Sequence, residues 1–86
     1  MKYNNKQLNR IKEKEMVLSG EFQKAVWSII RRKNMIKSRD IAVRIGRGSD
    51  QVHNIIKKLI SYNMVKKVDG ARGAYQVSDY ILTGDK

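Results

Sequence analysis

Residues 38–64 read SRDIAVRIGRGSDQVHNIIKKLISYNM, and this stretch decides the fold. It holds two apolar helical patterns separated by a glycine-bearing break. In the first, Ile41, Ala42 and Ile45 recur at i, i+1 and i+4, one face of a short helix. Ser38 stands where an N-cap is expected, and Asp40 puts a carboxylate in the first turn, where a helix N-terminus favours negative charge. Gly46 supplies a residue able to take positive φ at the helix end. Gly48 loosens the link, and Ser49, followed by Asp50, is expected to cap a second helix. There Val52, Ile55, Ile56, Leu59 and Ile60 fall at i, i+3, i+4, i+7 and i+8, a single buried stripe.

The opposite face of the second helix carries Asp50, Gln51, Asn54, Lys57, Lys58 and Ser61, with His53 on its border. A short helix, a tight glycine turn and a longer helix with a polar, basic outer face make a helix-turn-helix. Such a helix has the diameter and the donors to enter a DNA major groove.

The rest of the composition narrows the possibilities. At 86 residues the chain is expected to form one domain with a small core. Without cysteine it has no disulfide framework and no thiolate metal site, and a lone histidine, His53, completes no metal ligand set. No apolar run approaches the ~18 residues of a membrane span. The opening MKYNNKQLNRIKEKE is basic but has no hydrophobic stretch behind it, unlike a secretory signal. A cytoplasmic, intracellular protein is expected, with no cofactor, no small-molecule ligand and no membrane partner. The net charge is +11, from 19 Lys and Arg against 8 Asp and Glu. From Arg31 to Arg72 there are twelve Lys or Arg and three Asp, and 12 − 3 leaves +9. A field of this sign attracts polyanions, nucleic acid first.

Residues 1–18 are polar and basic, and two readings compete: a helix from about Asn5 to Val17, or a basic arm that orders only on DNA. A domain is expected over 19–79 and a tail over 80–86. After Ser19 and Gly20, the residues Phe22, Ala25, Val26, Ile29 and Ile30 repeat the buried stripe in a helix running to about Lys33, with Asn34 at its end. Trp27 lies off that stripe, as a flank of the core or as a contact with a second subunit. A homodimer is expected from Trp27 and the N-terminal helix. Met35 to Lys37 has the character of a short strand. Met64 to Val68, a turn with Asp69-Gly70 and Gly73, and an alternating Ala74 to Val77 give a β-hairpin signal. Tyr80, Ile81 and Leu82 are expected to tuck against the first helix or a partner, with fraying from Thr83 onward.

The order helix, short strand, helix, turn, helix, hairpin looks like the winged helix-turn-helix family of DNA-binding domains, a mainly α fold with a small β-hairpin (α+β). The resemblance covers about Glu21 to Ser78. It rests on Arg39 to Gly46, similar to the family's second helix. It rests also on Val52 to Ile60 with Asn63 to Val65, similar to a third helix entering the wing, and on Tyr75-Gln-Val-Ser78, similar to the end of the wing. Small archaeal, viral and plasmid regulators of this build are the nearest likeness.

The resemblance implies a recognition helix at about 49–62 in the major groove of double-stranded DNA and a wing at about 65–77 near the minor groove. The residue types fit these tasks. Gln51 and Asn54 pair a donor with an acceptor, as adenine N6 and N7 require. Lys57 and Lys58 suit phosphates or guanine O6 and N7. Ser49 and the N–H groups of the helix start suit a phosphate, with Arg39, Arg47 and His53 beside them. Arg72 at the wing tip suits a narrow minor groove, with Lys66 and Lys67 along the backbone. Each has a bland rival: a solvated lysine, a first-turn stabiliser, a structural histidine. The eight carboxylates are scattered and no phosphate-binding lysine loop occurs, so an enzyme is not expected. The leading expectation is a sequence-specific transcriptional regulator. A replication or partition protein on the same surface, or a winged-helix interaction module in a larger assembly, stand as alternatives.

Overall fold

The stripe of residues 52–59 sits at the centre of the interior, with Val52, Ile55, Ile56 and Leu59 all buried. Around it, in a computed structural model that describes residues 2–85, run α1 (Asn5–Glu15), α2 (Gly20–Arg32), β1 (Ile36–Lys37), α3 (Ser38–Ile45), α4 (Ser49–Ser61), β2 (Val65–Lys67), β3 (Ala74–Val77) and α5 (Asp79–Thr83). This is the α+β winged-helix architecture expected from the sequence. Helices α2, α3 and α4 pack on one another, and α2 also lies against β3. Val26 and Ile30 of α2 and Ile41 of α3 close the core on the α4 stripe.

The hairpin gains a third strand. The sheet order is β1-β3-β2, all antiparallel. β3 is central: Tyr75 faces Ile36 on one side and Lys67 on the other, and Val77 faces Val65. Tyr75 and Val77 are buried, as their alternation predicts, and Ala74 is buried with them.

The expected helix ends shift by one residue. Ser38 and Ser49 do not cap; each is the first residue of its helix, and the cap positions are Lys37 and Gly48. A capping residue needs extended backbone. Lys37 has it because pairing with Ala74 holds it in the sheet, so α3 starts at the next residue. The Ser38 N–H is instead taken by the carbonyl of Gly73 at 3.1 Å, which ties the start of α3 to the wing loop. The α2 cap is Lys33 rather than Asn34. α4 ends at Ser61 with Tyr62 as its cap, and Asn63 follows at φ 61, a left-handed conformation that asparagine tolerates.

Of the two readings of Trp27, burial favours the one that packs it on the core. It is 1% exposed and belongs to the core. Its indole N–H donates to Glu15 Oε2 at 2.7 Å, and Arg31 donates to the same oxygen at 3.1 Å. An indole off the main stripe can enter the interior only if its N–H finds an acceptor. The last residue of α1 supplies one.

Residues 5–15 are helical, opened by a reciprocal capping box between Asn4 and Gln7. α1 packs against α5. Gln7 Nε2 and Arg10 donate to the carbonyls of Leu82 and Ile81 at 3.0 and 3.1 Å, and Tyr80 donates to Glu13. The Tyr3 hydroxyl donates to the Arg31 carbonyl, and burial raises its pKa against the opposing pull of the Arg31 charge. Residues 79–83, expected to be partly frayed, form a helical turn. Ser78 accepts from the Ile81 N–H at its start and Gly84 closes it at φ 86.

Ile11 of α1 is 1% exposed. Replacing it with alanine is expected to lower stability by about 2–5 kcal/mol, the range for deleting a buried aliphatic side chain. Urea unfolding of the full chain reads this directly; an unchanged midpoint would mean that α1 is detached in solution.

Candidate nucleic-acid interface

The local sequence sets how α3 and α4 meet. α3 ends at Gly46, whose φ of 74 lets its N–H and that of Arg47 both reach the Ala42 carbonyl, at 2.9 and 3.2 Å. The chain then returns to extended backbone at Gly48 (φ −69, ψ 150), and α4 begins. No side chain caps the first turn of α4. Its N–H groups are therefore left to solvent or to an anion, at the positive end of the helix dipole.

With the apolar stripe buried, Gln51, Asn54, Lys57 and Lys58 are all exposed along α4. Two of these are bidentate hydrogen-bonding amides and two are cations, on the solvent side of a helix. Ser49 at the helix start is exposed too.

The other sequence-predicted residues take different places. Arg39 and Arg72 come together: with Lys37 they line a depression of ≈340 Å³ where the start of α3 meets the wing loop. Arg47 is exposed, and its guanidinium lies over the Phe22 ring at 5.2 Å, a cation–π contact that orients it. His53 and Lys66 each have a partner within the chain. His53 is half-buried, its ring edge-on to Tyr75 with centroids 6.5 Å apart, so it bridges α4 and β3. Lys66 Nζ is 2.8 Å from Asp79 Oδ1, an ion pair between β2 and α5. Lys67 and Arg72 remain exposed on the wing.

Sequence reading overlooked Lys37. Nothing in its immediate neighbours marks it; it joins Arg39 and Arg72 because β1 pairs with β3 and carries the start of α3 to the wing. The one available signal was the short-strand character of residues 35–37. Among the described residues no group of His, Cys, Asp and Glu could hold a metal ion, and no helix is long and apolar enough to cross a membrane.

A family model described as a winged helix-turn-helix transcription repressor, HrcA DNA-binding, matches residues 17–80. The match takes in α2, the helix-turn-helix and the wing, and leaves α1 outside. No curated protein and no solved structure matches the chain.

The two glycines of the turn are expected to respond oppositely to substitution. A Cβ meets open space at both, so only the backbone decides. Gly46→Ala forces a left-handed alanine and is expected to destabilise by about 1–2 kcal/mol. Gly48→Ser adds a capping hydroxyl to an already extended residue and is expected to stabilise by a few tenths of a kcal/mol. Thermal unfolding of the two variants checks the contrast in sign.

Proposed function

Given that the chain belongs to the winged helix-turn-helix transcription repressors with an HrcA-type DNA-binding domain, we propose that it is a sequence-specific regulator that reads duplex DNA with α4 and steadies itself with the wing. The observation that carries this reading is the exposed row Gln51, Asn54, Lys57 and Lys58 on a helix whose other side is locked into the core. Gln51 and Asn54 read bases in the major groove, where an amide can hold adenine N6 and N7 together. Lys57 and Lys58 hold phosphates or guanine. Ser49 and the uncapped start of α4 take a backbone phosphate. Arg72, supported by Lys67, enters or lines the minor groove, and Arg39 and Arg47 contact the backbone beside α4.

His53 and Lys66 have smaller roles than their positions in the sequence suggested. His53 holds the angle between helix and wing through Tyr75, and Lys66 is shared with Asp79. On this reading residues 19–79 are the DNA-binding unit, and α1 and α5 fasten its two ends together. The chain works in the cytoplasm, associated with DNA, and binds a two-fold site as a homodimer.

Selection of binding sites from random duplex DNA is the deciding experiment. A consensus with inverted half-sites is expected; retention of all sequences alike would remove base reading, and an asymmetric consensus would remove the dimer. On the selected site, Asn54→Ala is expected to cost about 1–3 kcal/mol and relax the preference at one position, whereas Arg72→Ala should weaken binding most where the flanks are AT-rich. Affinity should fall with salt by about 0.9 log units per log unit of salt for each phosphate neutralised, in a titration of the wild-type chain.

A further inference from the structure

Among the described residues, four large hydrophobic side chains are exposed: Met16, Val17, Met35 and Val43. Two of them, Met35 at 52% and Val43 at 77%, line a single groove of ≈540 Å³. The groove is bounded by β1 with its lead-in on one side and by α3 on the other.

Three features of this groove are independent of one another. First, β1 is an edge strand, because it pairs only with β3. An unpaired edge presents backbone N–H and C=O groups to an incoming extended chain. Second, Met35 and Val43 present exposed apolar side chains along it. Third, Lys33, Lys37, Arg39 and Arg44 line the groove against one carboxylate, Asp40, and 4 − 1 leaves +3. None of the four has a carboxylate partner among the described residues.

We propose that this groove docks an extended segment of a partner protein in which carboxylates alternate with aliphatic side chains. The period of a strand sends alternate side chains to opposite sides. One set can therefore rest on Met35 and Val43 while the other meets the cations, with the backbone running beside β1. A DNA backbone would satisfy the cations and leave both apolar side chains unused, so the charge pattern together with these side chains favours the peptide. Lys37 and Arg39 also line the depression shared with Arg72. Peptide and duplex therefore compete for the same two cations, a consequence that rests on the proposed DNA-binding function; the docking itself does not.

The test uses the full chain and fluorescence anisotropy. The probe is a labelled, end-blocked peptide of about ten residues alternating Glu and Leu, long enough to pass along a short strand. The control is an all-Glu peptide matched in charge. The alternating peptide is expected to bind at least about tenfold more tightly than the control. The double variant Met35→Ser with Val43→Ser is expected to remove about that factor, a loss of about 1.4 kcal/mol, while leaving duplex affinity unchanged. Both side chains are exposed, and an unaltered thermal transition verifies the variant's fold. Equal binding of the two peptides, or no effect of the double variant, would show charge attraction alone and overturn the proposal. A variant that loses duplex and keeps peptide would assign the groove to DNA. Displacement of the bound peptide by duplex is expected; duplex binding without displacement would overturn the shared-cation claim. Peptide binding by a chain that holds no duplex would leave the docking standing and remove the DNA-binding reading.

Discussion

Burial of Val52, Ile55, Ile56 and Leu59 fixes the rotation of α4, and much else follows from that. Each such side chain contributes about 1.5–3 kcal/mol when taken out of water. Turning the helix by half a revolution would expose the stripe and push Lys57 and Lys58 toward the interior. The phase is thus set by the apolar side, and the polar row faces solvent as a consequence. The same stripe receives α2 and α3, so the short helix before the turn is held against α4.

A second layer of order comes from polar groups at the two ends of the chain. Glu15 accepts from both Trp27 and Arg31, and this lets a large indole sit in the core without an unsatisfied N–H. Gln7 and Arg10 supply donors to carbonyls of α5. α5 in turn reaches the wing through Asp79 and Lys66. That pair is exposed on both sides, and such a pair contributes at most about 1 kcal/mol. Its consequence is positional: one wing lysine leans toward α5, leaving Lys67 and Arg72 as the exposed cations of the wing.

The charge of the chain is distributed unevenly for the same reason. Glu13, Glu15 and Asp79 are engaged where α1 and α5 meet α2 and β2. Lys37, Arg39 and Arg72 converge where β1, α3 and the wing loop meet. At physiological salt, interactions between exposed charges fade beyond about 8 Å. A local cluster of cations therefore matters more for holding an anion than the total of +11.

The elements and their faces follow from local patterns in the chain. The spacing of Val52 to Leu59, of Phe22 to Ile30, and the alternation of Tyr75 with Val77 are local periodicities, and each fixes which side of its element is apolar before anything packs. The winged-helix order and the outward row Gln51, Asn54, Lys57 and Lys58 were legible for that reason, as was the left-handed turn at Gly46. The rest depends on partners distant in the chain, which no local pattern reveals. Trp27 could not be placed until Glu15 was seen to accept its N–H. The start of α3 depended on Lys37 being held extended by Ala74, and the meeting of Lys37, Arg39 and Arg72 on the pairing of β1 with β3. His53 and Lys66 read as surface groups in sequence; Tyr75 and Asp79, more than ten positions away from each, gave them their places.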